Sequence, residues 1–289
     1  MNFEKAQRKR AKIKMALQGP SGSGKTFSAL LVAFGLCGDW NKIAVIDTEN
    51  HSAELYSHLG GYNVLPLSAP FTPEKYMEAL AVYENAGMEV IIIDSMSHCW
   101  ENLLAYHSSL QGNSFTNWAK VTPRQDEFVQ HILQSPAHII ATIRTKQDYV
   151  LCERNGKLVP EKVGLKAVQR DGLDYEFTLV FDLNIRNNAV ASKDRTNLFS
   201  SSPEQRLSIE TGKTINAWCN SGAEVSVTNI STRISECRSI QELLETYKQF
   251  PQFKDALQSD YENQKRLILL QTKPVNHIIH PQHSENGTH

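Results

Sequence analysis

Short apolar runs alternate with segments of helical length from residue 13 to about residue 210, and this alternation predicts βα units on a mainly parallel sheet. Strands are expected near 13–18, 42–47, 62–67, 89–94, 137–143, 176–183 and 189–193. The runs IAVID at 43–47 and EVIIIDS at 89–95 are nearly continuous in β-branched residues. Strands covered by helices on both faces read this way, so these two are expected at the centre of the sheet. Helical spacing fills 25–36 and 73–86, the second opening on Thr72 as a cap and Pro73 in its first turn. After about residue 222 the pattern changes, and SIQELLETYKQF and FKDALQSDYENQKRLILL read as two amphipathic helices with a turn at Pro251. The expected organisation is a basic lead-in at 1–12, an α/β core at 13–221, a small helical C-terminal module at 222–272, and a polar, patternless tail at 273–289 expected to be disordered.

Composition narrows the function classes. The chain has 289 residues, 40% of them apolar, enough to bury a sizeable core. Thirty basic residues against thirty-one acidic leave a net charge of −1, so no global field draws the protein to nucleic acid or membrane, and any polyanion site is local. The five cysteines, at 37, 99, 152, 219 and 237, form no CxxC pair, which argues against a zinc site and a disulfide framework and for a reducing cytoplasm. No apolar run of signal or membrane-span length is present, so a soluble, unsecreted protein without a membrane partner is expected.

The strongest chemical signal is Gly19-Pro20-Ser21-Gly22-Ser23-Gly24-Lys25-Thr26, a full GxxxxGK[ST] lying between the apolar run IKMAL and a helical segment. Glycines are needed there because backbone N–H groups must curl around phosphates, and the helix N-terminus adds partial positive charge at the same point. Lys25 is then placed for the β and γ phosphates of ATP, and the Thr26 hydroxyl for Mg²⁺. Asp94, at the end of VIIID, suits the water shell of the same magnesium. It is followed by Ser95 and not by Glu, so the attacking water needs a base from another strand. Glu49, closing IAVIDTE, is the candidate.

The order GPSGSGKT, VIDTE, IIIDS resembles the RecA/Rad51 recombinases and their relatives among the ring helicases, over about residues 13 to 200, and looks closest to phage-encoded nucleotide-binding ATPases of the single-strand annealing and recombination type. The resemblance implies a RecA-like P-loop NTPase core that hydrolyses ATP with Mg²⁺, with the Glu after the second strand as general base. Adenylate-kinase-like and AAA+ readings fit less well, the first for want of an Arg-rich lid, the second because an Asp-Glu pair would stand where this chain has Asp94-Ser95. In the ring helicases a Lys-x-Arg strand end reaches the neighbouring subunit's γ phosphate, which by resemblance assigns Lys193 and Arg195 to act in trans and implies a homo-oligomeric ring or filament. Recombinases carry an Asn-Gln γ-phosphate sensor where IIATIRTK places Thr142 and Arg144, so the coupling of hydrolysis to DNA is open at this position.

RecA-like proteins hold DNA on two loops, and both corresponding stretches are long here. The first, 106–124, carries Tyr106, Phe115 and Trp118 with Lys120 and Arg124, aromatics and cations suited to base stacking and phosphate contact. The second, 144–170, carries Arg144, Lys146, Arg154, Lys157, Lys162, Lys166 and Arg170 against three acids. Single-stranded DNA is the partner these stretches fit. The rival expectation is a nucleotide-gated assembly or loading factor acting on protein partners, with the C-terminal helices as the docking element. If the chain is phage-encoded, its compartment is the host cytoplasm.

Overall fold

The computed structural model describes residues 8–154, 157–222, 227–250 and 253–271. The chain forms two compact units, 1–222 and 223–289. The expected tail and the turn at Pro251 lie outside the described residues, as does most of the basic lead-in.

Among the described residues the first unit has eight strands: β1 (Lys14–Gly19), β2 (Ile43–Asp47), β3 (Asn63–Pro66), β4 (Val90–Asp94), β5 (His138–Arg154), β6 (Lys157–Ala167), β7 (Leu179–Leu183) and β8 (Ala189–Asp194). Their order is β3-β2-β4-β5-β1-β7-β8, with β6 paired to β5 outside this path. Pairings from β3 through β7 are parallel, while β7/β8 and β5/β6 are antiparallel hairpins. One strand, β5, therefore separates the phosphate-loop strand β1 from the Asp94 strand β4, in a RecA-like arrangement.

Strand alternation sends side chains to opposite faces, and each face has its own helices. Met15, Leu17, Val45 and Ile92 pack on one side with α1 (Lys25–Cys37) and α5 (Ile209–Asn220). Ala16, Ala44, Ile46, Ile91 and Ile93 pack on the other with α2 (Pro73–Asn85) and α4 (Ser114–Gln134). In chain order α3 (Ser97–Ser109) follows β4 and precedes α4, against which it packs. Thr72 caps α2 by accepting from the Lys75 amide, with Pro73 in the first turn.

Three expectations for the first unit are corrected. The stretch 106–124 is not a loop: α3 runs to Ser109 and α4 starts at Ser114, capped by Asn113. Pro123 lies inside α4. An interior proline costs about 3 kcal/mol in a helix, but Asn117, Val121, Gln125, Phe128, Val129 and Ile132 form a buried stripe along this one. Ala119, whose carbonyl loses its partner, is exposed to water. The stretch 144–170 is likewise not a loop, because β5 continues through Arg154 and returns as β6 in a long hairpin. Strand β7 begins at Leu179 and not at 176, after a 3-10 turn at Leu173–Tyr175.

Among the described residues the second unit has three helices where two were expected: α6 (Val227–Glu236), α7 (Ile240–Gln249) and α8 (Gln258–Gln271). The unexpected one, VTNISTRISE, is rich in Ser, Thr and β-branched residues of low helix propensity, and is held by burying Ile230 and Ile234, one turn apart, with Leu243, Phe250 and Leu257.

Candidate functional site

The sheet order brings the ends of β1, β2, β4 and β5 to one edge, in register: Asp47 of β2 lies beside Asp94 of β4, and Gly19 of β1 beside Arg144 of β5. Residues 19–24 join β1 to the first residue of α1. Gly22 and Gly24 have φ of 79° and 78°, a left-handed conformation that L side chains rarely adopt. A Cβ on Gly19 would stand 2.5 Å from Ser23 Oγ and 2.7 Å from the Leu183 carbonyl, so that glycine is required by close approach. Asn187, in the β7–β8 turn, closes the loop from outside by donating to the Gly22 carbonyl at 3.2 Å. Sequence gave no signal for Asn187, which is 163 residues from Gly24 but packs against it.

Lys25 Nζ donates to the carbonyls of Gly19 and Pro20, both at 2.9 Å. Burial lowers the pKa of this ammonium, with Asp94 and Glu49 pulling the other way. The site therefore holds a partly desolvated cation among neutral carbonyls, an arrangement that a phosphate would stabilise. Thr26 Oγ1 donates to Asp94 Oδ2 at 2.6 Å, and Thr142 Oγ1 donates to Asp94 Oδ1. Asp94 is 2% exposed, and burial raises its pKa while the two hydroxyls lower it. A hydroxyl and a carboxylate, both hard oxygens, lie within hydrogen-bond distance beside the phosphate loop. They fit a magnesium ion that keeps most of its waters. Among the described residues no cluster of three or more His, Cys, Asp or Glu side chains forms a separate metal site.

Glu49 stands on the loop after β2, its amide bonded to Asp47 Oδ1. Its carboxylate is paired through both oxygens with Arg144: Nε reaches Oε1 at 2.8 Å and Nη2 reaches Oε2. Burial pushes the Glu49 pKa up, but the hydrogen bonds and charge of Arg144 bring it below the ordinary value, and the Glu49 hydrogen bonds raise that of Arg144. Nothing in the sequence marks this pair, whose members are 95 residues apart.

Lys193 and Arg195 do not join this cluster. Lys193 lies beside Val180, which lies beside Ala16, so it is on the sheet three residues below the loop strand's end. Its Nζ donates to the Asp174 carbonyl at 2.7 Å, and Arg195 Nη2 donates to the Tyr175 carbonyl at 2.8 Å. Both cations therefore converge on the turn before β7.

The expected nucleic-acid residues fall into three groups. Phe115, Trp118, Lys120 and Arg124 are on α4 and not on a loop. Phe115 is 86% exposed, whereas Trp118 is half-buried, stacked on Trp100 (centroids 6.0 Å) and His107 (4.2 Å). Arg124 is held by Glu74 through two hydrogen bonds of 2.7 and 2.8 Å. Lys146, Lys166 and Arg170 line, with Trp100 and Trp118, a cleft of about 690 Å³ at the root of the β5–β6 hairpin. There Lys166 is paired with Asp171 and Arg170 with Asp126. The side chains of Arg154, Lys157 and Lys162 lie outside the described residues.

Among the described residues no helix is long and apolar enough to cross a membrane. No curated protein matches the chain. A solved structure of a KaiC-like protein from the hyperthermophilic archaeon Pyrococcus horikoshii aligns at 15% identity and a TM-score of 0.38, over 65% of this chain and 82% of that one. A family model described as an AAA domain matches residues 11–214. In this chain the candidate base is on the loop after β2 and not beside Asp94. With most of its length inside that match and the phosphate loop at the junction of β1 and α1, the chain belongs to the AAA domain family of P-loop ATPases.

Proposed function

We propose that this P-loop ATPase hydrolyses ATP in a Mg²⁺-dependent reaction, acts as a ring or filament, and binds single-stranded DNA in recombination or strand annealing of the phage type. The observation that carries the catalytic reading is the convergence of Lys25, Thr26, Asp94 and Glu49 on one sheet edge. Thr26 and Asp94 would hold the magnesium, which when bound neutralises phosphate charge. Lys25 leaves its loop carbonyls for the β and γ phosphates. Glu49 accepts the proton of a water whose oxygen attacks the γ phosphorus, while the bond to the ADP oxygen breaks.

The oligomeric reading is supported by Lys193 and Arg195. Both stand away from their own phosphate loop, and Arg195 is exposed, as cations serving a neighbouring subunit would be. Nucleic-acid binding is supported by the cleft that combines the Trp100/Trp118 stack with Lys146, Lys166 and Arg170. Its ion pairs are largely exposed and individually weak, so phosphates can compete for the cations. Phe115 adds an exposed ring three residues before Trp118, on the same helix face.

The deciding experiment is ATP turnover with and without single-stranded DNA, with Lys25→Ala as the blank. Turnover that depends on Lys25 and rises with DNA is expected. Turnover indifferent to DNA, with no salt-sensitive DNA affinity but nucleotide-dependent assembly, would instead favour a nucleotide-gated assembly factor.

A further inference from the structure

Accepting Glu49 as the base, as proposed above, the geometry points to Arg144 as a restraint that holds Glu49 out of use until the root of the β5–β6 hairpin shifts. The guanidinium engages both carboxylate oxygens at once, in the side-by-side geometry that makes arginine–carboxylate pairs strong. A carboxylate so occupied has both oxygens engaged by the guanidinium and its basicity lowered by it, so it is a poorer acceptor for a water proton. Hydrolysis through Glu49 therefore requires the pair to open.

The position of Arg144 decides what can open it. It is the last β5 residue in register with β1, opposite Gly19, and the next residue, Thr145, already pairs with Ala167 in the hairpin. Its amide donates to Ser97 Oγ at 2.9 Å, and its carbonyl accepts from the Val168 amide at 2.7 Å. The backbone of Arg144 is thus tied on one side to the start of α3 and on the other to the segment leaving β6. The cleft of Lys146, Lys166 and Arg170 is built on these same strand ends. Displacement of the hairpin root carries the guanidinium with it.

The charged surroundings of Glu49 make the pair legible in a pH profile. Besides Arg144 from β5, the carboxylate faces Lys25 from α1, Asp94 from β4 and His98 from α3, while Asp47 binds its amide and Glu101 acts on Arg144 from α3. Arg144 holds the Glu49 pKa down, so its removal moves the acid limb of the rate profile to higher pH.

The test measures ATP turnover without DNA across pH for wild type, Glu49→Gln, Arg144→Gln and Arg144→Lys, with nucleotide affinity and circular dichroism as controls for folding. A several-fold rise in kcat for Arg144→Gln, with the acid limb shifted upward and KM little changed, supports the restraint. Arg144→Lys, which keeps the charge but loses the two-pronged contact, should also exceed wild type; it remains decisive if the glutamine variant does not fold. A rate equal to or below wild type in the folded Arg144 variants, with Glu49→Gln inactive, overturns the restraint and leaves Glu49 as the base. Normal turnover by Glu49→Gln removes the base reading and the restraint with it.

Discussion

At the scale of single residues, the site is a set of paired carboxylates whose partners set their roles. Asp94 is gripped by the hydroxyls of Thr26, in the first turn of α1, and Thr142, on β5. Glu49 is gripped by a guanidinium. We expect Glu49→Gln to lower kcat by about 100-fold or more while ATP binding is retained; undiminished turnover would take Glu49 out of the mechanism. A second buried group bears on stability and not on catalysis. His138, 3% exposed, accepts the Ile13 amide through Nδ1 at 3.0 Å, and burial lowers its pKa from 6.5 to about 3. Between those two values the unfolded chain binds a proton that the folded chain refuses, so stability must fall as pH drops from 6.5 toward 3. The loss is on the order of a few kcal/mol for this group. Urea midpoints measured across that window should show a shallower slope for His138→Gln than for wild type; parallel slopes would deny His138 this role.

At the scale of elements, α1 is positioned by its contact with α5 as much as by the phosphate loop. Gly35 of α1 and Gly212 of α5 meet backbone to backbone, and a Cβ on Gly212 would stand 2.2 Å from the Val32 carbonyl and 2.8 Å from Gly35 Cα. Gly212→Ala must separate the two helices, and we expect a cost of about 1–3 kcal/mol in denaturant unfolding. Since α1 carries Lys25 and Thr26, KM for ATP should rise as well; a variant of unchanged stability would show the helices can part freely. Helix α4 and the β5–β6 hairpin are the elements that sequence reasoning read as loops. Polar composition and an internal proline favour a loop locally, whereas the stripe from Asn117 to Ile132 becomes decisive only when the sheet face that it covers is present. The hairpin was hidden for a related reason. Beyond Arg144 its strands pair with each other, and their many charged residues show no apolar alternation.

At the scale of the whole molecule, catalysis is expected to be divided between subunits. Alanine at Lys193 or Arg195 should lower turnover by up to ~10³-fold while sparing nucleotide affinity. Mixing with Glu49→Gln protein should restore part of the rate, because each variant supplies what the other lacks; without rescue, these cations do not act in trans. DNA affinity, if it lies in the cleft, should fall linearly in log–log form with salt, and Lys146→Ala should reduce the slope by about one phosphate contact. An unchanged slope would place the DNA elsewhere.

The phosphate loop, the strand that ends in Asp94 and the alternation of strand and helix were legible because each is written in consecutive residues: the turn needs glycine, the buried strand favours β-branched side chains, and phosphate and magnesium binding need the lysine and threonine at the head of the helix. Tertiary structure alone decided which distant residues share the site. Thr142 reaches Asp94, Arg144 reaches Glu49 and Asn187 closes the loop because the order β2-β4-β5-β1-β7 sets those strand ends side by side. Strand order is fixed by the packing of whole faces against helices, a sum over the fold that no short stretch of sequence records.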